Sequence, residues 1–161
     1  MTASSSSAIK RIRGLRANSL AAVVMLLLQY SLGIYVNLYS TLPASDTGKA
    51  LFPGFAVAVA KGPVVLSIHA ILGTLLLISG STAVIRSVRM SAPAPIALTV
   101  VGLLAILAAW LSGSIFIGKQ TNGHSIAMAL ATAVALLCYV LVLFLLMPRS
   151  EVAAERLEAI G

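Results

Sequence analysis

The chain contains little charge, few aromatic residues and a single cysteine. Only 9% of its 161 residues are charged and 6% are aromatic, whereas 60% are hydrophobic, and the mean hydropathy is +1.05. A water-soluble domain carries about 25% charged residues, so this composition excludes one. Because Cys138 is the only cysteine, no intramolecular disulfide can form. Acidic residues number only four, which leaves a net charge of +7.

Four apolar runs are long enough to cross a membrane, since a hydrocarbon core requires about 20 residues of helix. They cover residues 20–38, 63–85, 95–117 and 124–147. The sequence therefore predicts an all-α, polytopic membrane protein. We expect its four transmembrane helices to form an up-down bundle over residues 19–148.

The basic residues predict how these spans are oriented. Eight lie before the first span, in the second loop or after the last span: Lys10, Arg11, Arg13, Arg16, Arg86, Arg89, Arg149 and Arg156. Only Lys49, Lys61 and Lys119 lie on the other side. Cytoplasmic loops carry the excess of positive charge, so both termini are predicted to be cytoplasmic. The net charge then indicates topology and contact with membrane lipids rather than nucleic-acid binding, in a multi-pass protein of a prokaryotic cytoplasmic membrane.

Three segments outside the long spans have distinct compositions. Residues 1–18 are basic and begin with a serine run, and we expect them to form a disordered cytoplasmic N-terminus. Segment 50–60 (ALFPGFAVAVA) is apolar but too short to cross a membrane. It is expected to lie on the outer side, either as a lid over a cofactor pocket or as a loop resting on lipid headgroups. Residues 149–161 are predicted to form a cytoplasmic tail.

The only two histidines, His69 and His124, are the strongest indication of chemistry. Each lies in the first turns of a span, and both spans begin on the same predicted side. No aspartate, glutamate, lysine or arginine lies within a span, which argues against an ion pump or an ion-coupled transporter. A buried imidazole needs a hydrogen bond or a metal, and haem iron accepts imidazole as an axial ligand. We therefore predict that His69 and His124 bind haem b, with no catalytic residues. The alternative is two histidines that are merely solvated or hydrogen-bonded at the interface.

Neighbouring residues complete the predicted cofactor site. Gly73 and Ala127 share a helix face with the two histidines and would leave room for a flat macrocycle, although small residues are also typical of membrane-helix packing. Met128, one turn below the second histidine, keeps a His/Met site open. Gln29 lies deep in the first span and needs a partner, either a ligand histidine or a group on another helix.

Two stretches of the chain resemble the haem A synthase family. LSIHAILGTLLLISG surrounds His69, GHSIAMALATAVALLCYVL surrounds His124, and Gln29 with Gly33 adds a Gln-x-x-x-Gly match. The resemblance covers all four spans, which would correspond to one four-helix half of such a synthase. It implies the two histidines as axial ligands. It does not imply oxidation of haem, because Leu66 replaces the family's carboxylate and the first outer loop has no cysteine pair.

Three functions are compatible with these residues. The first is a membrane haem protein, similar to a b-type cytochrome, for electron transfer, haem handling or redox sensing. The second is a cofactor-free structural or assembly subunit of a membrane complex. The third is a carrier of a small apolar molecule, such as a quinone, bound beneath segment 50–60. Whether the chain is an enzyme is left open, as are its redox partner and the choice between a homodimer and a larger complex.

Overall fold

The computed structural model of the chain, which describes residues 3–40 and 46–147, contains five α-helices and no strand in those ranges. The helices are α1 (Ala3–Tyr39), α2 (Leu51–Ala60), α3 (Val64–Val88), α4 (Pro93–Lys119) and α5 (Asn122–Leu145). Four of them, α1, α3, α4 and α5, are long and apolar enough to cross a membrane, whereas α2 is too short. The prediction of an all-α protein with four membrane-length helices is confirmed.

Helix α1 differs most from its predicted bounds. It begins at Ala3, so residues 3–18 are helical where we expected disorder. The basic residues of this segment are good helix formers, and tertiary contacts hold it in place. Leu15 is fully buried, and the guanidinium of Arg11 donates a hydrogen bond of 2.8 Å to the carbonyl of Arg89 at the end of α3. The apolar content of the sequence did not predict this part of α1, because it packs against α3 through only a few apolar residues.

The remaining helices begin and end close to their predicted positions. Helix α2 coincides with the apolar segment 50–60, and α4 begins with Pro93, whose missing N–H is tolerated in a first turn. Helix α4 ends where Gln120 adopts a left-handed conformation with φ of 49°. Only Gln120 and Thr121 then separate α4 from α5. The predicted tail, 149–161, lies outside the described residues.

The long helices pack as a bundle. Helices α1 and α4 each contact both α3 and α5, and α2 lies against α3 and α4. Two clusters of buried apolar residues form the core. The larger contains Leu15, Ala22, Leu26, Leu76, Ala83, Ala105, Ile106, Ala135, Tyr139, Val142 and Leu146. The smaller contains Val36, Ala58, Leu66 and Ile117. The outer faces are apolar too, since Leu104 and Leu137 are both 59% exposed, and helices that are apolar all round suit a lipid environment.

Tyr139 marks a tightly packed level of the bundle. Its side chain is fully buried, and a Cβ placed on Gly80 would lie 3.0 Å from its hydroxyl oxygen. A Cβ on Gly102 would lie 3.0 Å from the Cε2 atom of the same ring. The tyrosine of α5 therefore fits because α3 and α4 both present glycine to it. Close to the connection between the two helices, Ser87 near the end of α3 and Thr99 near the beginning of α4 form a buried hydrogen bond of 2.8 Å between their hydroxyls.

Candidate functional site

A cavity of about 220 Å³ lies inside the bundle, and all five helices contribute to its wall. Helix α2 supplies Phe55 and Ala58, which connects the short apolar segment with the interior. Most of the lining residues are apolar, and none of those described carries an acidic or basic side chain other than His69. The cavity therefore offers an apolar environment in which a few polar atoms determine what can bind.

The polar centre of the cavity is a pair formed by Gln29 of α1 and His69 of α3. The amide nitrogen Nε2 of Gln29 lies 3.2 Å from Nε2 of the imidazole, which is a hydrogen bond between two membrane-length helices. The other polar atom of each side chain, Oε1 of Gln29 and Nδ1 of His69, is buried without a hydrogen-bond partner among the described residues. A buried polar atom that lacks a partner destabilises the protein by about 1–3 kcal/mol, so the pair retains binding capacity for a ligand.

Two glycines give this pair its space. A Cβ on Gly33 would lie 3.2 Å from Cε1 of His69, and a Cβ on Gly73 would lie 3.2 Å from Nε2 of Gln29. Each helix thus carries one polar residue and, four residues later, the glycine that faces the other helix's polar residue. This reciprocal arrangement brings α1 and α3 close enough for the amide to contact the imidazole.

Aromatic side chains form a further part of the wall, and Trp110 lies beside the polar pair, since a Cβ on Gly73 would approach both its ring and the Gln29 amide. The indole N–H of Trp110 donates a hydrogen bond of 3.3 Å to the hydroxyl of Thr74, which fixes the ring against α3. The ring of Phe55 on α2 lies 5.1 Å from that of Trp110, measured between centroids. In addition, the Ser67 hydroxyl donates a hydrogen bond of 3.1 Å to the carbonyl of Ala58. These contacts hold α2 against the cavity.

The structure brings together most of the residues predicted from the sequence. Four of them line the cavity: Gln29, His69, Gly73 and Met128. His124 and Ala127 are not among the lining residues. His124 is the third residue of α5 and is half-buried, while Ala127 is exposed. Ligation of one haem by both histidines therefore stays a prediction, whereas His69 and Met128 do face the same cavity.

Sequence reasoning did not find every wall residue. Trp110 and Phe55 were not among the predicted site residues, yet both line the cavity. Asn37 also lines the cavity without having been predicted, and its Oδ1 accepts a hydrogen bond of 3.1 Å from the Ser125 hydroxyl of α5. One signal in the sequence does point to the site: a polar residue followed by glycine four positions later, at Gln29 in the first span and again at His69 in the second.

Neither a metal-binding group of side chains nor a similar known protein identifies the function of this site. Among the residues that the structure describes, no group of three histidine, cysteine, aspartate or glutamate side chains is arranged to hold a metal ion. No protein family matches this sequence, and neither a curated protein nor a solved structure shows significant similarity to the chain. The resemblance to haem A synthases therefore stays a prediction.

Proposed function

We propose that this chain is a membrane protein that binds a small apolar molecule of the quinone class in its central cavity and carries it within the bilayer. One observation carries the proposal: apolar walls surround a Gln29–His69 pair whose outer polar atoms have no partner among the described residues. A quinone has matching properties, since it combines a compact ring bearing polar oxygens with an otherwise apolar surface. Binding would give the donor of this pair a hydrogen bond that it lacks.

Access to the cavity is supported from the lipid side. Tyr30 and Ile34 of α1 both contribute to the cavity wall, and each is 46% exposed on the outer surface of the bundle. Residues that are both wall and surface mark an opening between helices. A ligand dissolved in the hydrocarbon would enter sideways through this opening and would not have to cross water.

We further propose an up-down bundle with both termini on the cytoplasmic side of a cell membrane. The contacts between α1 and α3 support opposite directions, because Gly33 late in α1 lies beside His69 early in α3. At the other end, Arg11 early in α1 is bonded to Arg89 at the end of α3. The basic residues of the N-terminal segment and of the second loop thus share one end of the bundle, as the positive-inside rule requires of cytoplasmic segments.

Haem is the second candidate ligand, with His69 and Met128 instead of two histidines as its axial ligands. His69 and Met128 face one cavity, and imidazole with thioether sulfur is a known axial pair. The bis-histidine site fits the cavity less well, because His124 does not line it and Nε2 of His69 already contacts the Gln29 amide. The cavity volume also favours a compact ligand, since about 220 Å³ is below the ~300–1,000 Å³ of sites that hold drug-sized molecules.

Fluorescence of Trp110 provides a direct test, because it is the only tryptophan and it lines the cavity. The protein in lipid nanodiscs is titrated with a short-chain benzoquinone, whose ring quenches a nearby indole. We expect saturable quenching in the wild type and affinity weakened by roughly tenfold in His69→Phe, which removes a hydrogen-bond donor worth about 0.5–1.5 kcal/mol. Gln29→Met should weaken the affinity less, because Gln29 holds the imidazole in place through the bond to its Nε2. Ser81→Ala is the matched control, since this exposed serine of α3 bonds only to the Leu77 carbonyl of its own helix.

Two outcomes would contradict the carrier proposal. Quenching that never saturates and is equal in wild type and variants would mean that the quinone only partitions into the lipid. Purified protein with a haem absorption spectrum would favour the cytochrome, and the ligands would then follow from which of His69→Ala, Met128→Ala and His124→Ala abolishes it. If neither ligand binds, a cofactor-free subunit of a membrane complex becomes the better account.

A further inference from the structure

The hydrogen bond between Gln29 and His69 determines which polar atoms face the ligand. An amide nitrogen can only donate, so Nε2 of the imidazole must accept the bond of 3.2 Å. A neutral imidazole carries one proton, which is then on Nδ1. Two atoms of the pair are buried without a partner among the described residues: a donor, the Nδ1–H of His69, and an acceptor, Oε1 of Gln29. The second N–H of the amide is a further donor.

This result does not depend on which way the amide is turned. If the Gln29 oxygen instead faced the ring, Nε2 of His69 would donate to it and Nδ1 would become an acceptor. The amide nitrogen would then point away from the ring as a donor. In either orientation the pair offers at least one donor and one acceptor, so a ligand must supply both an acceptor and a donor to satisfy them.

Most other polar groups of the cavity wall are already engaged, and Tyr30 is 46% exposed and therefore not confined to the cavity. The hydroxyls of Ser114 and Thr132 donate to the carbonyls one turn earlier in their own helices. The Ser125 hydroxyl is bonded to Asn37, and the indole N–H of Trp110 is bonded to Thr74. Among the described wall residues, buried polar atoms without a partner occur only in the Gln29–His69 pair, which therefore sets the requirement for the head group.

We infer that the cavity selects a head group with a hydroxyl, a phenol or the reduced quinol form, over a head group that has only carbonyl or ether oxygens. A hydroxyl donates one hydrogen bond and accepts others, so it meets both requirements of the pair. A quinone carbonyl can only accept, and it would leave the acceptor of the pair buried and unpaired. This inference rests on the proposed function, because it specifies the ligand of the same cavity.

A matched pair of ligands tests the inference on the wild-type protein. Binding of 4-pentylphenol and of 4-pentylanisole to the protein in nanodiscs is measured by calorimetry, with empty nanodiscs subtracted. The two molecules share ring and chain, but the methyl ether has no donor. We expect the phenol to bind at least roughly fivefold more tightly, since one lost hydrogen bond corresponds to about that factor. A short-chain hydroquinone, kept reduced under nitrogen, should exceed its benzoquinone by a similar factor.

The outcomes distinguish the inference from the proposed function. If the anisole and the benzoquinone bind as tightly as their hydroxylated partners, or more tightly, the inference is wrong while the carrier function stands. If no member of either pair binds, the proposed function itself is wrong. In Gln29→Met, which keeps the side-chain length and removes both polar atoms, the preference for phenol should shrink to less than roughly twofold. Should this variant fail to fold, the wild-type comparison alone decides.

Discussion

Glycines bring helices together at two levels of the bundle, and different side chains occupy the space at each. At the level of the cavity, Gly33 and Gly73 make room for the Gln29 amide and the His69 imidazole, and a cavity remains beside them. About 10 Å further along α3, at 1.5 Å per residue, Gly80 lies against Tyr139, which is fully buried. One level is filled by the protein's own ring and the other is left partly open.

The comparison separates stability from binding. A membrane bundle gains stability from close packing between helices, and the Tyr139 level provides it. The Gln29–His69 level loses some packing to its cavity and keeps two polar atoms unpaired among the described residues. Substitutions at the Tyr139 level should therefore affect folding, and substitutions at the Gln29–His69 level should affect ligand affinity.

The largest effect is expected at the packed level. Tyr139→Ala should lower the free energy of unfolding by about 3–5 kcal/mol, the usual range when a large aromatic core residue is truncated. The measurement is thermal or chemical unfolding of the protein in detergent micelles, followed by circular dichroism. Quinone affinity measured well below the unfolding temperature should stay within roughly twofold of the wild type.

Tyr139→Phe is the control for that prediction. The hydroxyl of Tyr139 is buried and has no partner among the described residues, so its removal should change the free energy of unfolding by less than about 1 kcal/mol. A loss as large as that of the alanine variant would show that the hydroxyl, and not the ring, stabilises this level.

A smaller effect is expected at the open level. Gly73→Ala places a methyl group 3.2 Å from Nε2 of Gln29 and 3.6 Å from Cδ1 of Trp110, so the amide must move away from its present position. We expect quinone affinity to fall by roughly fivefold, by titration of Trp110 fluorescence, because the displaced amide no longer holds the imidazole that bonds to the ligand. Stability should change by less than about 1 kcal/mol, since alanine also favours helix more than glycine does.

The control for this substitution is Gly123→Ala, at a helical glycine whose added Cβ would have no neighbour within 4 Å. Its affinity should match that of the wild type. If Gly73→Ala lowered the unfolding temperature and left affinity unchanged, the two levels would not differ in the way proposed.

The smallest effect is expected at the contact between α2 and α3. Ser67→Ala removes the hydrogen bond to the Ala58 carbonyl, which is worth about 1 kcal/mol, and should loosen α2 over the cavity. The dissociation rate of the quinone, followed by recovery of Trp110 fluorescence after rapid dilution, should rise by roughly threefold. Ser81→Ala, which removes a bond within α3 only, should leave the rate unchanged. Equal rates in the two variants would mean that α2 does not control access.

The sequence predicts the helices well because membrane-length apolar runs are a strong signal. The predicted spans 63–85, 95–117 and 124–147 each agree with a helix to within a few residues. It does not predict the long N-terminal part of α1, where contacts such as that between Arg11 and Arg89 replace apolar periodicity. Such contacts depend on how two helices are aligned, and a single sequence does not contain that alignment.

The same limitation explains which site residues were found. Gln29 was expected to need a partner. In the structure that partner is His69, so the hydrogen bond joins α1 and α3. His124 lies in the first turns of its span but does not line this cavity, so its role as a ligand stays a prediction. The residues of α5 that line the cavity are Ser125, Met128, Ala129 and Thr132, which recur with helical spacing. His124 lies one position before this series, at the beginning of α5. One residue turns an α-helix by about 100°, so His124 lies on a different side of the helix from Ser125.

The polar pair also has a consequence for the order in which the chain is synthesised. Gln29, Gly33, His69 and Gly73 all belong to the first half of the sequence, and chains are made from the N-terminus. An imidazole in lipid is costly until it finds a partner. Because that partner is on α1, the ribosome has already made it when His69 emerges, and the pair can form before α4 and α5 exist. The last two helices then enclose a polar contact that is already satisfied on one side.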